Sequence, residues 1–323
     1  MSDTAVIAKP SLLRRVDPAV ATAFACIVAL LFVGSFYSRN FLSPEYLLQQ
    51  MKVASFLGVI ASGMMLAILI GQIDLSLPWL VTVGAMMSCA VGHGPWGAAF
   101  AVPFGILCGV AIGFVNGFGV AYLRIPSMII TLATNAVAQG FMVVYTGGFS
   151  PRDSASPVMR YLATGFAIPG LPNAVLCWAA VALATVIMLT RTTFGRAIYG
   201  IGNRERAVYL SGVDTRRVVL FVFAISGGAS AFGGVLLAGY ASKAAQSMGD
   251  AYLLPAIAAV VLGGASILGG RGTYLGTVAG VLLITLLQSI LSVMQIPEFG
   301  RQIIYGLVII CMLLLYGRER VSR

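Results

Sequence analysis

RTTFGRAIYGIGNRERAVYLSGVDTRR, residues 191–217, is the longest polar segment of a chain that is otherwise strongly apolar. We call it the arginine segment. It has two acidic residues, Glu205 and Asp214, and six arginines: Arg191, Arg196, Arg204, Arg206, Arg216 and Arg217. Two interpretations fit this composition: a basic loop that orients the protein in a membrane, or a docking element for a soluble partner.

The arginine segment contains a pattern typical of a short helix. Asn203 is the predicted N-cap, Gly212 follows the predicted end, and residues 204–211 lie between them. Ala207, Val208 and Leu210 would give this helix an apolar edge. Because an isolated helix of two turns is marginal in water, we expect it to pack against another surface.

The composition on both sides of this segment indicates a membrane protein. Of 323 residues, 59% are hydrophobic and 9% charged, and the mean hydropathy is +0.96; about a quarter of the residues of a soluble domain are charged. Several continuous apolar runs are near twenty residues long, which predicts helices that span a lipid membrane and excludes the alternating pattern of a barrel. We expect an all-α polytopic fold, with residues 1–323 forming a single membrane domain.

The net charge of +10 is explained by topology. With a cytoplasmic N-terminus and about ten spans, fourteen of the twenty Lys and Arg residues fall on the cytoplasmic side, as the positive-inside rule requires. Both termini and residues 191–217 are then cytoplasmic, and residues 147–171 form a periplasmic loop. The apolar run 17–37 is read as a retained first span, and nucleic-acid binding is not supported.

No residue cluster predicts catalysis or metal binding. The five cysteines have no paired spacing, His93 is the one histidine, and no hydrolase or metalloprotease motif occurs. The glycine-rich run 263–272 lacks the Gly-Lys-Ser/Thr ending of a phosphate-binding loop. We expect no enzyme activity, no metal and no nucleotide bound by this chain.

The apolar runs divide into two comparable halves, spans two to five and spans seven to ten, with opposite predicted orientation. The ten predicted spans are 17–37, 47–70, 77–91, 95–122, 127–146, 173–190, 217–241, 252–268, 273–293 and 301–316. Spans three and eight are short, and each is introduced by an acid and then a proline: Asp74 and Pro78, and Asp250 and Pro255. Paired short segments indicate a transport site near the bilayer midplane, whereas two ordinary capped helices would give the same pattern.

Asp74 is the only charged residue between Lys52 and Arg124. A charge at the bilayer centre costs at least ~2.5 kcal/mol, so such a residue normally has a role. Asp74 with Ser76 would cap the free N–H groups at the start of span three, or Asp74 would contact solute. Gln72 fits either role.

Span five carries one polar stripe. Ser127, Thr131, Asn135 and Gln139 recur every fourth residue, and Asn116 at the end of span four would join the same surface. Hydrogen bonds between helices explain such a stripe, and so does a cavity for a polyhydroxylated solute. The predicted solute-pathway residues are Gln72, Asp74, Asn116, Thr131, Asn135 and Gln139.

Two stripes of glycine predict close helix packing: Gly105, Gly109, Gly113 and Gly117 in span four, and Gly272, Gly276 and Gly280 entering span nine. The spans have almost no ionisable groups of the kind that ion-coupled carriers use. The energy for transport is therefore expected from a partner, and an ion-coupled secondary transporter remains the alternative of a different class.

The chain resembles the ribose-type simple-sugar permease subunits of binding-protein-dependent ABC importers, within the sugar and branched-chain amino acid permease group. The resemblance covers nearly the whole chain, and its strongest motifs are TFGRAIYGIGN at 193–203, LSG at 210–212, IAAVVLGG at 257–264 and GGRG at 269–272. IDLS at 73–76 and IPS at 125–127 add to it.

The resemblance implies a bacterial inner-membrane subunit that pairs with a second permease as a homodimer or heterodimer. It also implies a cytoplasmic ABC ATPase with two nucleotide-binding domains, which holds the ATP and Mg, and a periplasmic binding protein that delivers the solute. The helix over 204–211 would be the coupling helix. The ATPase-coupling residues are then Gly195, Arg196, Gly202, Asn203, Arg204, Glu205, Ala207, Leu210 and Gly212.

This chain departs from the family pattern near the suspected gate. Gln72 replaces a glycine, Leu77-Pro78 replaces Val-Gly, Gly202-Asn203-Arg204 stands for the usual Gly-Gly-Asn, and Tyr252 to Pro255 replace a Glu-Leu-Asp sequence. These changes fit one half of a heterodimer. They leave open whether the solute is a monosaccharide, a branched-chain amino acid, a nucleoside or a signalling sugar derivative.

Overall fold

The computed structural model describes residues 18–37, 39–92, 97–149 and 153–321, and these residues form helices with no extended strand. Most of the predicted spans are confirmed as helices to within a few residues. The helices are α1 (Pro18–Tyr37), α2 (Pro44–Leu69), α3 (Leu77–Val91), α4 (Gly97–Ala121), α5 (Ser127–Thr146), α6 (Pro157–Thr164), α7 (Asn173–Arg191), α8 (Thr193–Leu210), α9 (Thr215–Ala241), α10 (Leu253–Leu262), α11 (Tyr274–Val293) and α12 (Glu298–Val321).

Among the described residues, six helices are long and apolar enough to cross a membrane: α2, α4, α5, α7, α9 and α11. Shorter apolar helices are found at Ala21–Tyr37, Leu77–Val91 and Asp250–Leu262. The count of about ten spans therefore stays a prediction. His93, expected to be alone, lies outside the described residues.

Two connections differ from the sequence prediction. The eighth span, expected over 252–268, ends as a helix at Leu262 because Gly263 and Gly264 turn the chain, with Gly264 at φ +87°. The segment 147–171, expected as a loop, contains α6, which begins where Ser156 accepts a hydrogen bond from the Met159 N–H at 3.3 Å. A glycine after the last turn is an ordinary signal for the end of a helix, and a serine followed by a proline is an ordinary signal for its start.

The centre of the molecule is built by α2 and α9, which contact each other and each contain more buried residues than any other helix whose burial is described. The packing around them is reciprocal: α4 and α3 lie against α9, while α11 and α10 lie against α2. In the same way, α3 packs on α4 and α5, and α10 packs on α11 and α12.

Glycine allows α4 to lie directly on α9, so the predicted packing role of the stripe is confirmed. A Cβ at Gly113 would overlap the carbonyl of Phe223, and one at Gly109 would overlap the carbonyl of Gly227. On the other side, a Cβ at Gly280 in α11 would overlap the carbonyl of Ala259 in α10. Small residues at these positions let the helix backbones touch.

Candidate translocation and coupling sites

The first candidate site is the connection between α2 and α3, residues 70–76, which we call the Asp74 segment. Asp74 is fully buried. Its Oδ1 accepts from the Ser76 N–H at 3.1 Å and from the Ser76 hydroxyl at 2.5 Å, and its Oδ2 accepts from the Ser226 hydroxyl of α9 at 2.9 Å. Three donors on one carboxylate compensate the cost of burying it.

The network continues into α4 and α5 through Asn116. Its Nδ2 donates to the Ser76 hydroxyl at 2.8 Å, and its Oδ1 accepts from the Thr134 hydroxyl at 2.6 Å. Every donor in this chain of hydrogen bonds points toward Asp74. Thr134 donates to Asn116, Asn116 donates to Ser76, and Ser76 donates to Asp74. Such a chain holds each side chain in one orientation.

Side chains of α5 satisfy backbone N–H groups at the start of α3. The Thr131 hydroxyl accepts from the Leu75 N–H at 3.1 Å, and the Asn135 Oδ1 accepts from the Trp79 N–H at 3.3 Å. Ser76 occupies the N-cap position of α3 without a side-chain cap bond. The expected caps were Asp74 and Ser76. Asp74 binds the Ser76 N–H, while α5 satisfies the Trp79 N–H within α3 and the Leu75 N–H just before it.

Of the six predicted solute-pathway residues, Asp74, Asn116, Thr131 and Asn135 are brought together. Gln72 is half-buried and Gln139 is exposed, and neither takes part in this network. Ser226 and Thr134 also belong to this network, and neither is predicted from the sequence. Ser226 is 152 residues from Asp74, and a serine in an apolar helix carries no signal of its partner.

The second candidate site is the arginine segment, whose helix begins earlier than predicted. α8 starts at Thr193, where the Thr192 hydroxyl accepts from the Gly195 N–H at 3.1 Å. The helix breaks at Arg204, which has extended backbone angles of φ −156° and ψ 95°, and it ends at Leu210. The prediction of Asn203 as N-cap is wrong, because Asn203 belongs to the first part and the break falls one residue later.

Asn203 instead joins α8 to the glycine loop, residues 263–272. Its Nδ2 donates to the Tyr199 carbonyl at 2.9 Å and to the Gly270 carbonyl at 3.2 Å. The Gly270 N–H donates to the carbonyl of Leu69, the last residue of α2, at 2.9 Å. A Cβ at Gly202 would overlap that same Leu69 carbonyl, so α8, the glycine loop and the end of α2 touch through backbone.

Tyr199 makes a second contact of α8 with the glycine loop, since its hydroxyl donates to the Gly272 carbonyl at 2.9 Å. Burial raises the pKa of Tyr199 above its ordinary value. The phenol therefore remains protonated and able to donate at neutral pH.

Glu205 joins three parts of the chain. Its Oε1 accepts from Arg124 Nη1 in the connection between α4 and α5 at 3.2 Å, and from the Thr215 hydroxyl at the start of α9 at 3.1 Å. The positively charged partner could not be predicted, because Arg124 is 81 residues away in sequence. Glu205 is thus bound within the chain and is not a free docking group.

The outer surface of the end of α8 is apolar and has no partner among the residues that the structure describes. Leu210 is 83% exposed and Tyr209 64% exposed, and Ala207 is exposed beside them. An open groove next to this surface is lined by Gly200, Asn203, Arg204, Ala207, Val208 and Ser211. Of the other predicted coupling residues, Gly195 is buried at the start of α8, Arg196 is exposed, and Gly212 follows the helix at φ +86°.

Comparisons with known proteins give one consistent result. Residues 46–313 match the model of a family described as branched-chain amino acid transport system, permease component. The chain is 32% identical to the ribose import permease protein of Haemophilus influenzae over 294 residues, which cover 89% of this chain and 90% of that protein.

Two further relatives have similar coverage. The ribose import permease protein of Escherichia coli is 31% identical, over 91% of this chain and 92% of that protein. The autoinducer 2 import system permease protein of Yersinia pseudotuberculosis is 31% identical, over 93% of this chain and 85% of that protein. No solved structure matches.

Proposed function

This chain belongs to the permease-component family of branched-chain amino acid transport systems, and we propose that it moves a monosaccharide or a similar small polar solute for an ATP-driven importer. It is a permease subunit and a multi-pass protein of the inner membrane. The relatives with ribose in their names support the sugar. The observation that carries the proposal is the exposed apolar surface of α8, a helix that Asn203 and Gly270 join by hydrogen bonds to Leu69, the residue before the Asp74 segment.

The first connection runs through the glycine loop. A push on the end of α8 reaches Asn203, then Gly270, and then the carbonyl of Leu69 at the end of α2. The chain continues from Leu69 directly into the Asp74 segment. A displacement of α8 therefore changes the position of the connection that starts α3.

The second connection runs through Glu205 and Arg124. Arg124 precedes α5, and α5 holds the start of α3 through Thr131 and Asn135. Both connections end at the same place, the first turn of α3. Contiguous hydrogen bonds of this kind transmit a displacement when the elements they join are rigid.

The partners we propose are a second permease subunit, an ABC ATPase with two nucleotide-binding domains that binds ATP and Mg, and a periplasmic binding protein. In this arrangement residues 191–217 form the cytoplasmic coupling loop, residues 147–171 lie in the periplasm, and both termini are cytoplasmic. About ten spans form two inverted halves. The reciprocal packing of α2 to α5 and α9 to α12 supports the two halves.

The test places an acid on the exposed surface of α8. Ala207→Asp with Leu210→Asp should abolish ATP-driven uptake of ribose while the subunit stays in the membrane, because neither side chain is needed for folding. Ala207→Ser with Leu210→Met, which changes the same two exposed positions without adding charge, is the matched control and should retain uptake. Normal uptake by the double variant would refute docking through this surface.

The family description and the relatives also favour a second solute class for the same machine, a branched-chain amino acid or a signalling sugar derivative. Uptake of leucine in place of ribose would support it. Solute movement down an ion gradient in liposomes without any ATPase would instead indicate a secondary transporter.

A further inference from the structure

A basic and aromatic cluster lies where α4 ends and α9 begins. Arg216, in the first turn of α9, places its guanidinium over the ring of Tyr122, 5.9 Å from the ring centroid. Phe118, one turn before Tyr122, stacks on it with the ring centroids 5.2 Å apart. All three side chains are exposed. Because α4 and α9 are both long and apolar enough to cross a membrane, a tyrosine at this end is expected at the depth of the lipid headgroups.

Arg216 is the arginine of this cluster whose charge is not compensated. The two neighbouring acids already have partners: Glu205 pairs with Arg124 at 3.2 Å, and Asp214 pairs with Arg217 at 2.9 Å. Arg216 forms no salt bridge with any residue that the structure describes. Its guanidinium is therefore available to an anion, and a phosphodiester offers two oxygens that match the fork of guanidinium donors.

An apolar surface continues from this cluster along one side of the contact between α4 and α9. A Cβ at Gly228 of α9 would lie 2.8 Å from the Val110 side chain of α4, so these two positions face each other. The next turns of both helices on this side carry large exposed side chains, each between 38% and 52% exposed: Phe114 and Phe118 on α4, and Phe221 and Ile225 on α9.

The depth of this apolar surface fits an acyl chain. The two helices are antiparallel, since Gly113 lies against Phe223 and Gly117 lies against Leu220. Both sets of exposed side chains therefore extend away from the headgroup level in the same direction. From Tyr122 back to Phe114 is about 12 Å of helix, and one half of a ~30 Å hydrocarbon core is about 15 Å.

The charges select among phospholipids. A zwitterionic lipid such as phosphatidylethanolamine would bring its ammonium group beside Arg216, where Glu205 and Asp214 are already paired and cannot receive it. A lipid with one net negative charge, such as phosphatidylglycerol, compensates Arg216 without adding a cation. Basic residues between membrane helices recognise anionic headgroups in this way.

We propose that the surface formed by the end of α4 and the start of α9 binds one anionic phospholipid. Arg216 holds the phosphodiester, Tyr122 positions the guanidinium, and an acyl chain lies on Phe114, Phe118 and Phe221. This site requires α4 and α9 to cross the membrane, and it is independent of the solute and of the source of energy for transport.

The experiment measures lipid binding to the full-length chain in neutral detergent by native mass spectrometry, with dioleoyl phosphatidylglycerol and dioleoyl phosphatidylethanolamine as probes. The wild type should bind the phosphatidylglycerol more tightly. Arg216→Gln should weaken that binding about fivefold, because one basic residue near the membrane surface contributes about 1 kcal/mol. Arg216→Lys should retain more of it than Arg216→Gln does.

Arg160→Gln is the matched control, because Arg160 is an exposed arginine of α6 that also forms no salt bridge among the described residues. It should keep the wild-type affinity for phosphatidylglycerol. Inorganic phosphate at millimolar concentration should not displace the lipid; displacement would indicate an anion site that does not use the apolar surface, and would overturn the proposal.

A second measurement locates the lipid in the assembled complex. Phosphatidylglycerol with a photoactivatable group in its acyl chain should label peptides that contain Phe114, Phe118 or Phe221, and Arg216→Gln should reduce this labelling. Equal affinity for the two lipids, unchanged binding by Arg216→Gln, or labelling confined to other helices would overturn the proposal. So would a cross-link from Phe118→Cys to another protein of the complex, because protein would then cover this surface.

Discussion

Asp74 is a carboxylate in an apolar interior whose oxygens accept three hydrogen bonds, two from Ser76 and one from Ser226. A group of this kind is costly to bury and costly to deprive of one partner. Its contacts join the Asp74 segment to α9 and, through Asn116, to α4 and α5. At the scale of the residue, Asp74 fixes the position at which α3 begins.

Two serines on α9 test this role. Ser226→Ala removes a donor to Asp74 and should lower the free energy of unfolding by about 1–3 kcal/mol. Ser230→Ala, one turn later, removes a buried hydroxyl with no partner among the described residues and should cost much less. Thermal unfolding in detergent measures both. Equal losses would contradict the role assigned to the Ser226 hydroxyl.

The ion pair of Arg124 and Glu205 should affect coupling more than stability, because both side chains are about half exposed and such pairs contribute about 0–1 kcal/mol. We expect Glu205→Arg to reduce ATP-driven uptake and the exchange of both charges, with Arg124→Glu, to restore part of it. Asp214→Asn retains an N-cap on α9 and is the control for charge. If the variant with both charges exchanged shows no more ATP-driven uptake than Glu205→Arg alone, the ion pair does not contribute to coupling.

The sequence predicts those site residues that belong to a pattern within one helix, and it does not predict partners that are distant in the chain. The stripe of α5 was predicted from a spacing of four, and Thr131 and Asn135 do face α3. Gln139 continues the stripe in sequence but is exposed, because a spacing of four drifts off a helix face that repeats every 3.6 residues, and Ala138 and Met142 hold the buried positions instead. Partners distant in the chain, such as Ser226 for Asp74 and Arg124 for Glu205, have no local signal and required the structure.

At the scale of the element, the contact of α4 with α9 depends on positions that hold no Cβ. Gly113→Ala should destabilise the protein by about 1–3 kcal/mol, because the new Cβ overlaps the Phe223 carbonyl. Gly140→Ala in α5 has no atom within 4 Å of its Cβ and should be neutral or stabilising. The difference in melting temperature checks this prediction, and a loss at Gly140 as large as at Gly113 would contradict it.

The glycines of α8 explain why its start was not predicted. Gly195, Gly200 and Gly202 resemble a loop in the sequence, but Gly195 lies against the carbonyl of Leu189 and Gly202 against that of Leu69. Glycine serves close approach at both positions within a continuous helix. Tertiary packing overrides the low helix propensity of these residues, and the sequence alone does not show the surface that they contact.

At the scale of the whole molecule, two four-helix units pack reciprocally around α2 and α9. If the chain has about ten spans, α9 crosses the membrane. Leu210 precedes α9 and Lys243 follows it, so the two residues should lie on opposite sides of the membrane. In a cysteine-free chain, an impermeant maleimide should label Lys243→Cys from the periplasm, and should label Leu210→Cys only after the inner membrane is opened. Labelling of both from one side would contradict the topology.

The central claim is that the end of α8 receives force from a separate ATPase. Leu210→Cys in the same cysteine-free chain, treated with a bifunctional cross-linker in the assembled complex, measures this most directly. We predict one adduct between this chain and the ATPase, and none from Leu268→Cys. A periplasmic location of Leu210→Cys, or no adduct in a complex that transports, would contradict the account.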